Sequence, residues 1–384
     1  MESRKASGVI TGFNMRKRKN CNILHCNLYI CLFFFFLLFI FFSFKASAQE
    51  DLGDGWLRFG LGGTSFGPLH GASSVLEAGD GIYRSPYDPG RALDRDPATA
   101  WVEGVPGPGL GESYWLGLDY FPEALGFING YAKNRDLFEK NFRVRSFNVQ
   151  VFAGVNLSMF AGQWEDYYDA RPVTEVRTVE LKDSMEPQRV TLPFCAIELS
   201  GIMEEFRSSE KLRSLNFPQA RELELEEFSE VQKNFLYIIR LEISGTYPGS
   251  KWEDTCIAEL WPDYGPASDA LLSKDGKQLS IVDSGGRVIP VFYDFDYVLT
   301  LLEISRDKQW ALVIKEPAYP GSGRVSSEYG IIHLPTGREL TADILGPDNT
   351  GLLPYSFSFE NGLTYVEFEN LETGEEGRTA CLFY

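Results

Sequence analysis

Between Ala72 and Trp261 the chain breaks into short alternating apolar and polar runs, each cut off by glycine or proline, and this restricts its fold more than anything else. Ser146-Phe-Asn-Val-Gln-Val-Phe152 alternates cleanly, placing Phe147, Val149 and Val151 on one face. Tyr114–Asp119, Phe127–Ile128, Arg189–Leu192 and Tyr237–Ile243 are further strand candidates. A period of two half-buries a strand, and many such strands divided by turns predict an antiparallel β-sandwich. An aromatic content of 14% suits this reading, since aromatics favour strands and also line sugar-binding surfaces. Val298–Ile304, Ala311–Ile314 and Tyr329–Leu340 continue the pattern, with turns at Asp307-Lys-Gln309 and Thr336-Gly-Arg338. The cadence is like a propeller blade, but about 115 residues cannot close four or more blades. A small antiparallel β domain is expected at 269–384, after a linker at 262–268.

One stretch departs from the β pattern. Residues 201–234 are rich in glutamate and leucine, as in Glu222-Leu-Glu-Leu-Glu-Glu-Phe228. They predict a helical insertion, either a solvated acidic excursion or a surface for a protein partner. Residues 49–71 are dense in glycine and read as a leader lying on the domain. Gly60-Leu-Gly-Gly63 lacks the Lys-Ser/Thr ending of a phosphate loop.

Residues 1–48 read as a secretory signal. Arg16-Lys-Arg-Lys19 precedes an almost wholly apolar run, and Ala46-Ser-Ala48 has the small-x-small form of a cleavage site. The expected location is secreted, periplasmic or in the cell envelope. The alternative is an uncleaved anchor, which would be the chain's one contact with a membrane.

Removing residues 1–48 takes away seven basic residues and one acidic residue, and deepens the net charge from −18 to −24. Nucleic acid is excluded as a partner, because phosphate binding needs a basic surface. Cys195, Cys256 and Cys381 remain; three is odd, so no full disulfide framework exists, although Cys195 and Cys256 are free to pair. His70 and His333 are the only histidines left, and no G-x-S-x-G, H-E-x-x-H or C-x-x-C occurs. Catalysis therefore has no visible machinery, and the chain is not expected to be an enzyme.

Four blocks carry a specific likeness. Ala92-Leu-Asp-Arg-Asp-Pro-Ala-Thr-Ala-Trp101 follows an A-x-D-G-x-x-x-T-x-W pattern, with Arg95 in place of glycine. Trp101-Val-Glu-Gly-Val-Pro-Gly-Pro-Gly109 continues it as a loop of glycine and proline. Asn129-Gly-Tyr-Ala-Lys133 is followed by Phe138, Asn141 and Arg143, and Tyr247-Pro-Gly-Ser-Lys251 by Asp254-Thr-Cys-Ile257. Over residues 72–261 the chain resembles the discoidin-like (F5/8 type C), galactose-binding-like domains, and among them the NADase-type glycan-binding module. The resemblance implies an all-β jelly-roll sandwich that binds carbohydrate without catalysis, here interrupted by the helical insertion and followed by the C-terminal β domain.

The implied glycan-binding set is Glu103, Asn129, Tyr131, Lys133, Arg143, Tyr247, Lys251 and Asp254. Sugars pair hydroxyls with such carboxylates, amides and cations, and lay a C–H face on a ring. Glu103, Tyr131 and Lys251 are expected to face one shallow pocket. Asp94, Asp96, Thr99 and Glu259 are the implied ligands of a structural Ca²⁺, a cation that takes six to eight oxygens. The plainer readings are that Asp94 and Thr99 cap a turn, that Trp101 is core, and that Arg143 pairs with a carboxylate such as Glu103. The expected ligand is a glycan or glycoconjugate. Two other functions fit the sequence: an enzyme whose catalytic domain is the C-terminal region, and an interaction scaffold that has lost sugar binding.

Overall fold

A computed structural model describes residues 49–63, 68–77, 85–157, 165–220, 232–318, 327–347 and 351–382. The expected signal at 1–48 lies outside the described residues. No helix among those described is long and apolar enough to cross a membrane.

Twelve strands build the first half: β1 (Gln49–Gly53), β2 (Trp56–Leu61), β3 (Leu69–Ala72), β4 (Trp101–Val102), β5 (Ser113–Leu118), β6 (Ala124–Asn129), β7 (Phe142–Leu157), β8 (Asp166–Pro172), β9 (Arg177–Glu180), β10 (Gln188–Thr191), β11 (Lys233–Tyr247) and β12 (Thr255–Asp263). One layer runs in the order β1-β2-β8-β7-β11-β5-β3, with β9 paired to the start of β7. The other layer is β10-β6-β12-β4. All pairs are antiparallel except a short parallel join of β12 to β7, which links the layers. The expected sandwich is present. Phe147, Val149 and Val151 of β7 and Ile239, Leu241 and Ile243 of β11 face Leu125, Phe127, Ile257 and Leu260 from the second layer. Phe127 stacks on Phe147 with centroids 5.8 Å apart.

The supposed leader is part of this fabric. β1, β2 and β3 lie within or just beyond residues 49–71, and Trp56 and Phe59 are fully buried. Phe59 meets Trp115 and Phe152 edge-on, at 5.4 and 5.1 Å. Glycine density suggested loose chain, but here it accommodates close contacts: Gly71 leaves room for the Trp115 indole, whose Nε1 donates to the Gly60 carbonyl.

The insertion is helical but not a solvated excursion. Helices Ala196–Phe206 and Ser209–Ser214 precede a 3-10 turn at Pro218–Ala220. Leu199, Met203 and Phe206 share one helical face, and with Leu212 and Phe217 they join the sandwich core. The Trp56 indole donates to the Leu215 carbonyl at 2.8 Å and packs against Phe206 and Phe217. Residues 221–231, which hold the most acidic part of the stretch, lie outside the described residues.

The expected C-terminal antiparallel β region is three successive meanders. They are β13 (Asp269–Leu272), β14 (Gln278–Val282) and β15 (Val288–Tyr293); β16 (Tyr297–Ile304), β17 (Trp310–Pro317), β18 (Glu328–His333) and β19 (Arg338–Glu339); and β20 (Leu352–Glu360), β21 (Leu363–Asn370) and β22 (Glu375–Ala380). Alternation along β17 explains the stacking. Ala311 and Val313 join the core of the first meander, while Trp310 and Leu312 join a core with Val366 and Cys381 of the last. On the last meander Thr364 and Val366 point inward, whereas Glu367 and Glu369 share the opposite face with the exposed Tyr355 and with Glu376.

Residues 262–268 are a buried strap, not a free linker. Tyr264 and Ala267 belong to the first meander's core, which also takes up Tyr120 from the sandwich. The Tyr264 amide donates to the Pro335 carbonyl at 2.9 Å, and Asp263 holds Arg189 at 2.7 Å. Ala48–Tyr384 accordingly forms one compact unit.

Candidate functional site

Strand pairing brings the loops of the sequence motifs to one end of the sandwich. Cys256 lies opposite both Val102 and Arg143, and Thr255 lies opposite Phe142. Gly130 bridges Ile257. The loops after Trp101, after Asn129 and before Thr255 therefore meet. Trp101 itself is core: it is fully buried and lies edge-on to Tyr114 at 5.3 Å.

Three of the expected sugar contacts turn inward. Glu103 is fully buried; Oε1 accepts from the Thr255 amide at 3.1 Å and Oε2 from the Val105 amide at 2.8 Å. Burial pushes its carboxyl up to about 7, against the pull of those two amides. Gly109 crosses it with φ +64°, and an added Cβ there would fall 2.6 Å from Glu103 Cγ. Asn129 uses its whole amide: Nδ2 donates to the Val144 and Lys182 carbonyls, and Oδ1 accepts from the Gly130 and Val144 amides. Arg143 donates twice to Asp183, both at 2.9 Å, and to the carbonyls of Asn141 and Pro248. Its expected carboxylate partner is thus Asp183, not Glu103. A side chain whose donors and acceptors are all engaged inside the protein pins loops together. Glu103, Asn129 and Arg143 are such pins and do not face a ligand. Tyr247 is half-buried and donates its hydroxyl to the Leu181 carbonyl at 3.0 Å.

The remaining expected residues reach solvent. Lys133 and Lys251 are exposed, and Tyr131 and Asp254 are half-buried. Tyr131 rests on a small cluster of Ala100, Val102 and Cys256 with Tyr87 beside it. Burial, with Glu253 nearby, raises the Asp254 carboxyl above its usual range. Lys251 Nζ sits 4.3 Å from the centroid of the Trp252 ring, and Lys140 Nζ lies 5.8 Å from it. Trp252 is half-buried and was missed by sequence reasoning. The available signal was its position between Lys251 and Glu253, since a core tryptophan is seldom flanked by two charges.

The Trp252 loop is held by backbone. Amides of Ser250, Lys251 and Trp252 donate to the carbonyls of Glu139 and Lys140, at the end of helix Arg135–Lys140. Gly249 allows this approach, because a Cβ there would lie 2.5 Å from the Lys140 carbonyl oxygen.

The implied cation ligands are differently arranged. Thr99 Oγ1 lies 2.9 and 3.0 Å from the Asp94 carboxylate oxygens, which also accept from the Asp96 amide and from Arg91. Asp96 Oδ1 accepts from the Ala98 amide. Arg95 takes the left-handed conformation, φ +66°, that glycine serves in the motif. Glu259 is near enough to sense Asp94 and Asp96, and burial pushes its carboxyl up to about 8. Its Oε1 is buried without a hydrogen-bond partner. Among the described residues no group of three or more His, Cys, Asp or Glu side chains is placed to hold a metal ion. The Asp94 and Asp96 carboxylates are engaged within the turn itself. Cys195 is exposed, Cys256 is buried, and both are free thiols.

No curated protein shows significant similarity to this chain. A solved structure of the arabinofuranosyltransferase AftD from Mycobacteria is similar over 61% of this chain, at 14% identity and a TM-score of 0.26. This chain spans 12% of that one. A second structure of that protein gives 59% coverage of this chain and 11% of that one, with a TM-score of 0.25 and the same identity. The model of the NAD glycohydrolase translocation F5/8 type C domain matches residues 69–262. Those bounds enclose the four motif blocks, the converging loops and nearly all of β3 to β12, and on that match the chain belongs to the NAD glycohydrolase translocation F5/8 type C domain family.

Proposed function

We propose that this chain is an exported or envelope-associated carbohydrate-binding protein that recognises a glycan at the loop end of its discoidin-like sandwich, without catalysis. The observation that carries this reading is the half-buried Trp252 ring, with Lys251 and Lys140 at 4.3 and 5.8 Å from its centroid, on a loop held by backbone hydrogen bonds to Glu139 and Lys140. An aromatic face takes the C–H side of a sugar ring, and the ammonium groups take its hydroxyls. The surrounding pins fix the loops before any ligand arrives, which lowers the ordering cost of binding. The family is named for translocation rather than for a reaction, which agrees with a binding module acting outside the cytosol.

The test is a glycan array probed with the protein and with Lys251→Ala and Trp252→Ala. Each variant is expected to lose about 1–3 kcal/mol of binding, roughly five- to a hundredfold in affinity. Wild-type binding by both variants to the same glycans would remove the loop end as the recognition face.

A further inference from the structure

A second recess lies away from the loop end. A cleft of about 1100 Å³ opens where the sandwich meets the first two meanders. Its sandwich wall holds Asp119, Arg207, Phe235 and Glu259, and its meander wall holds Tyr293 and Phe295. None of the residues that flank Trp252 lines it.

Three features show what chemistry this cleft suits. Tyr293 and Phe295 are 40% and 54% exposed, with centroids only 4.4 Å apart. The two rings meet edge-on, at 66°, and leave aromatic surface open to solvent. Next, the polar groups are of mixed sign. Two acidic groups of the meander wall are neutralised within the protein: Lys315 Nζ lies 2.9 Å from Glu339 and 3.4 Å from Asp294. A hydrolytic carboxylate pair is therefore not offered by these two, and the cleft's cations, Arg95, Arg207, Lys233 and Arg338, are interspersed with Asp119, Glu259 and Asp296 rather than gathered into a phosphate bed. Asp119 and Arg207 interact across the sandwich wall. Last, Glu259 is 2% exposed with an oxygen that has no hydrogen-bond partner inside the protein. A buried acceptor left unmade is costly, and a donor from a bound molecule removes that cost. The volume is at or above the upper end for single small-molecule pockets, roughly 300–1,000 Å³, so an extended ligand fits better than one ring.

We propose that this cleft is a second carbohydrate-binding site that takes an oligosaccharide, with Tyr293 and Phe295 stacking on sugar faces and Asp119, Arg207 and Glu259 pairing with hydroxyls. It is separate from the loop end, and the protein then holds two glycan segments at once.

The experiment uses the protein with its C-terminal half intact and an array of oligosaccharides of two to eight units. Three forms are compared: wild type, the double variant Tyr293→Ala/Phe295→Ala, and the loop double variant Lys251→Ala/Trp252→Ala. The two cleft rings are exposed, so their truncation should leave the melting temperature within a few degrees of wild type, which is checked in parallel. Asp119→Asn provides a second, non-aromatic probe, on the opposite wall of the cleft. The expected result is a set of longer glycans whose binding falls at least tenfold in the cleft variant and in Asp119→Asn but persists in the loop variant. Wild-type binding of every glycan by the cleft variant would overturn the second site and leave the loop end standing. Loss of all binding in the loop variant alone would do the same, and no binding by any form would remove both sites.

Discussion

Glu259 carries a carboxylate in a place almost without water. Its folded pKa is pushed up to about 8 by burial, from an ordinary 4.5. Between those values the unfolded chain holds fewer protons than the folded one, so stability falls as pH rises from about 4.5 to about 8 and stays low above that. Glu259→Gln keeps the shape and removes the titration. Gln also gives up the charge that faces Arg338 and Arg95, so the expected readout is the change with pH: the stability gap between the variant and wild type shifts in the variant's favour as pH rises from about 4.5 to about 8. Denaturant melts at pH 4, 6 and 8 check this, and a constant gap would show that Glu259 does not titrate on unfolding. Glu103 behaves differently because two amides depend on it. Glu103→Ala is expected to cost about 1–3 kcal/mol of stability by leaving them unmade, read by the same melts. No loss would deny its role as a pin. Sequence reasoning identified Glu103, Asn129 and Arg143 as special but gave them the wrong partner. Residue type reports hydrogen-bonding capacity, whereas the direction a side chain faces depends on strand register, which a single sequence does not reveal. Trp101 was legible as core because it ends a turn and opens a strand.

Elements with clean alternation were the easiest to read. β7 and β11, the long central pair, contain the two best alternating segments, and their register runs from Lys233 with Leu157 to Tyr247 with Arg143. β1 to β3 were obscured by glycine, whose usual association with loose chain conceals the close approaches it permits. The insertion was obscured by its charge. Glutamates mark the outer face of a helix, but the inner face of Ala196–Phe206 needs only Leu199, Met203 and Phe206 to reach the core. Leu212, fully buried on the next helix, tests this. Leu212→Ala is expected to destabilise the protein by about 2–5 kcal/mol, as seen in a lower denaturant midpoint. A change below half a kcal/mol would return the insertion to the surface.

At the scale of the whole molecule, the boundary drawn from sequence at 262–268 marks a change of architecture but not a hinge. Tyr264 and Ala267 are core residues of the first meander, and Tyr120 reaches that core from the sandwich. Two halves that share buried side chains melt together when the shared part is large compared with either core. Scanning calorimetry of Gln49–Tyr384 is therefore expected to show a single transition, with calorimetric and van't Hoff enthalpies equal. Two resolved transitions would mean that the strap couples the halves only weakly.

The stacked meanders raise a question of where such a stack stops. The middle sheet is apolar on both faces and is covered on each side by a neighbour. The outward face of the last sheet gathers Glu367, Glu369 and Glu376 around an exposed Tyr355. Arg378, opposite Glu367 and paired with Glu360, shares this face, so a second copy would meet a surface of mixed but mainly negative charge. The outward face of the last sheet is thus polar, unlike the two faces of the middle sheet, and offers no continuous apolar surface on which another sheet would stack.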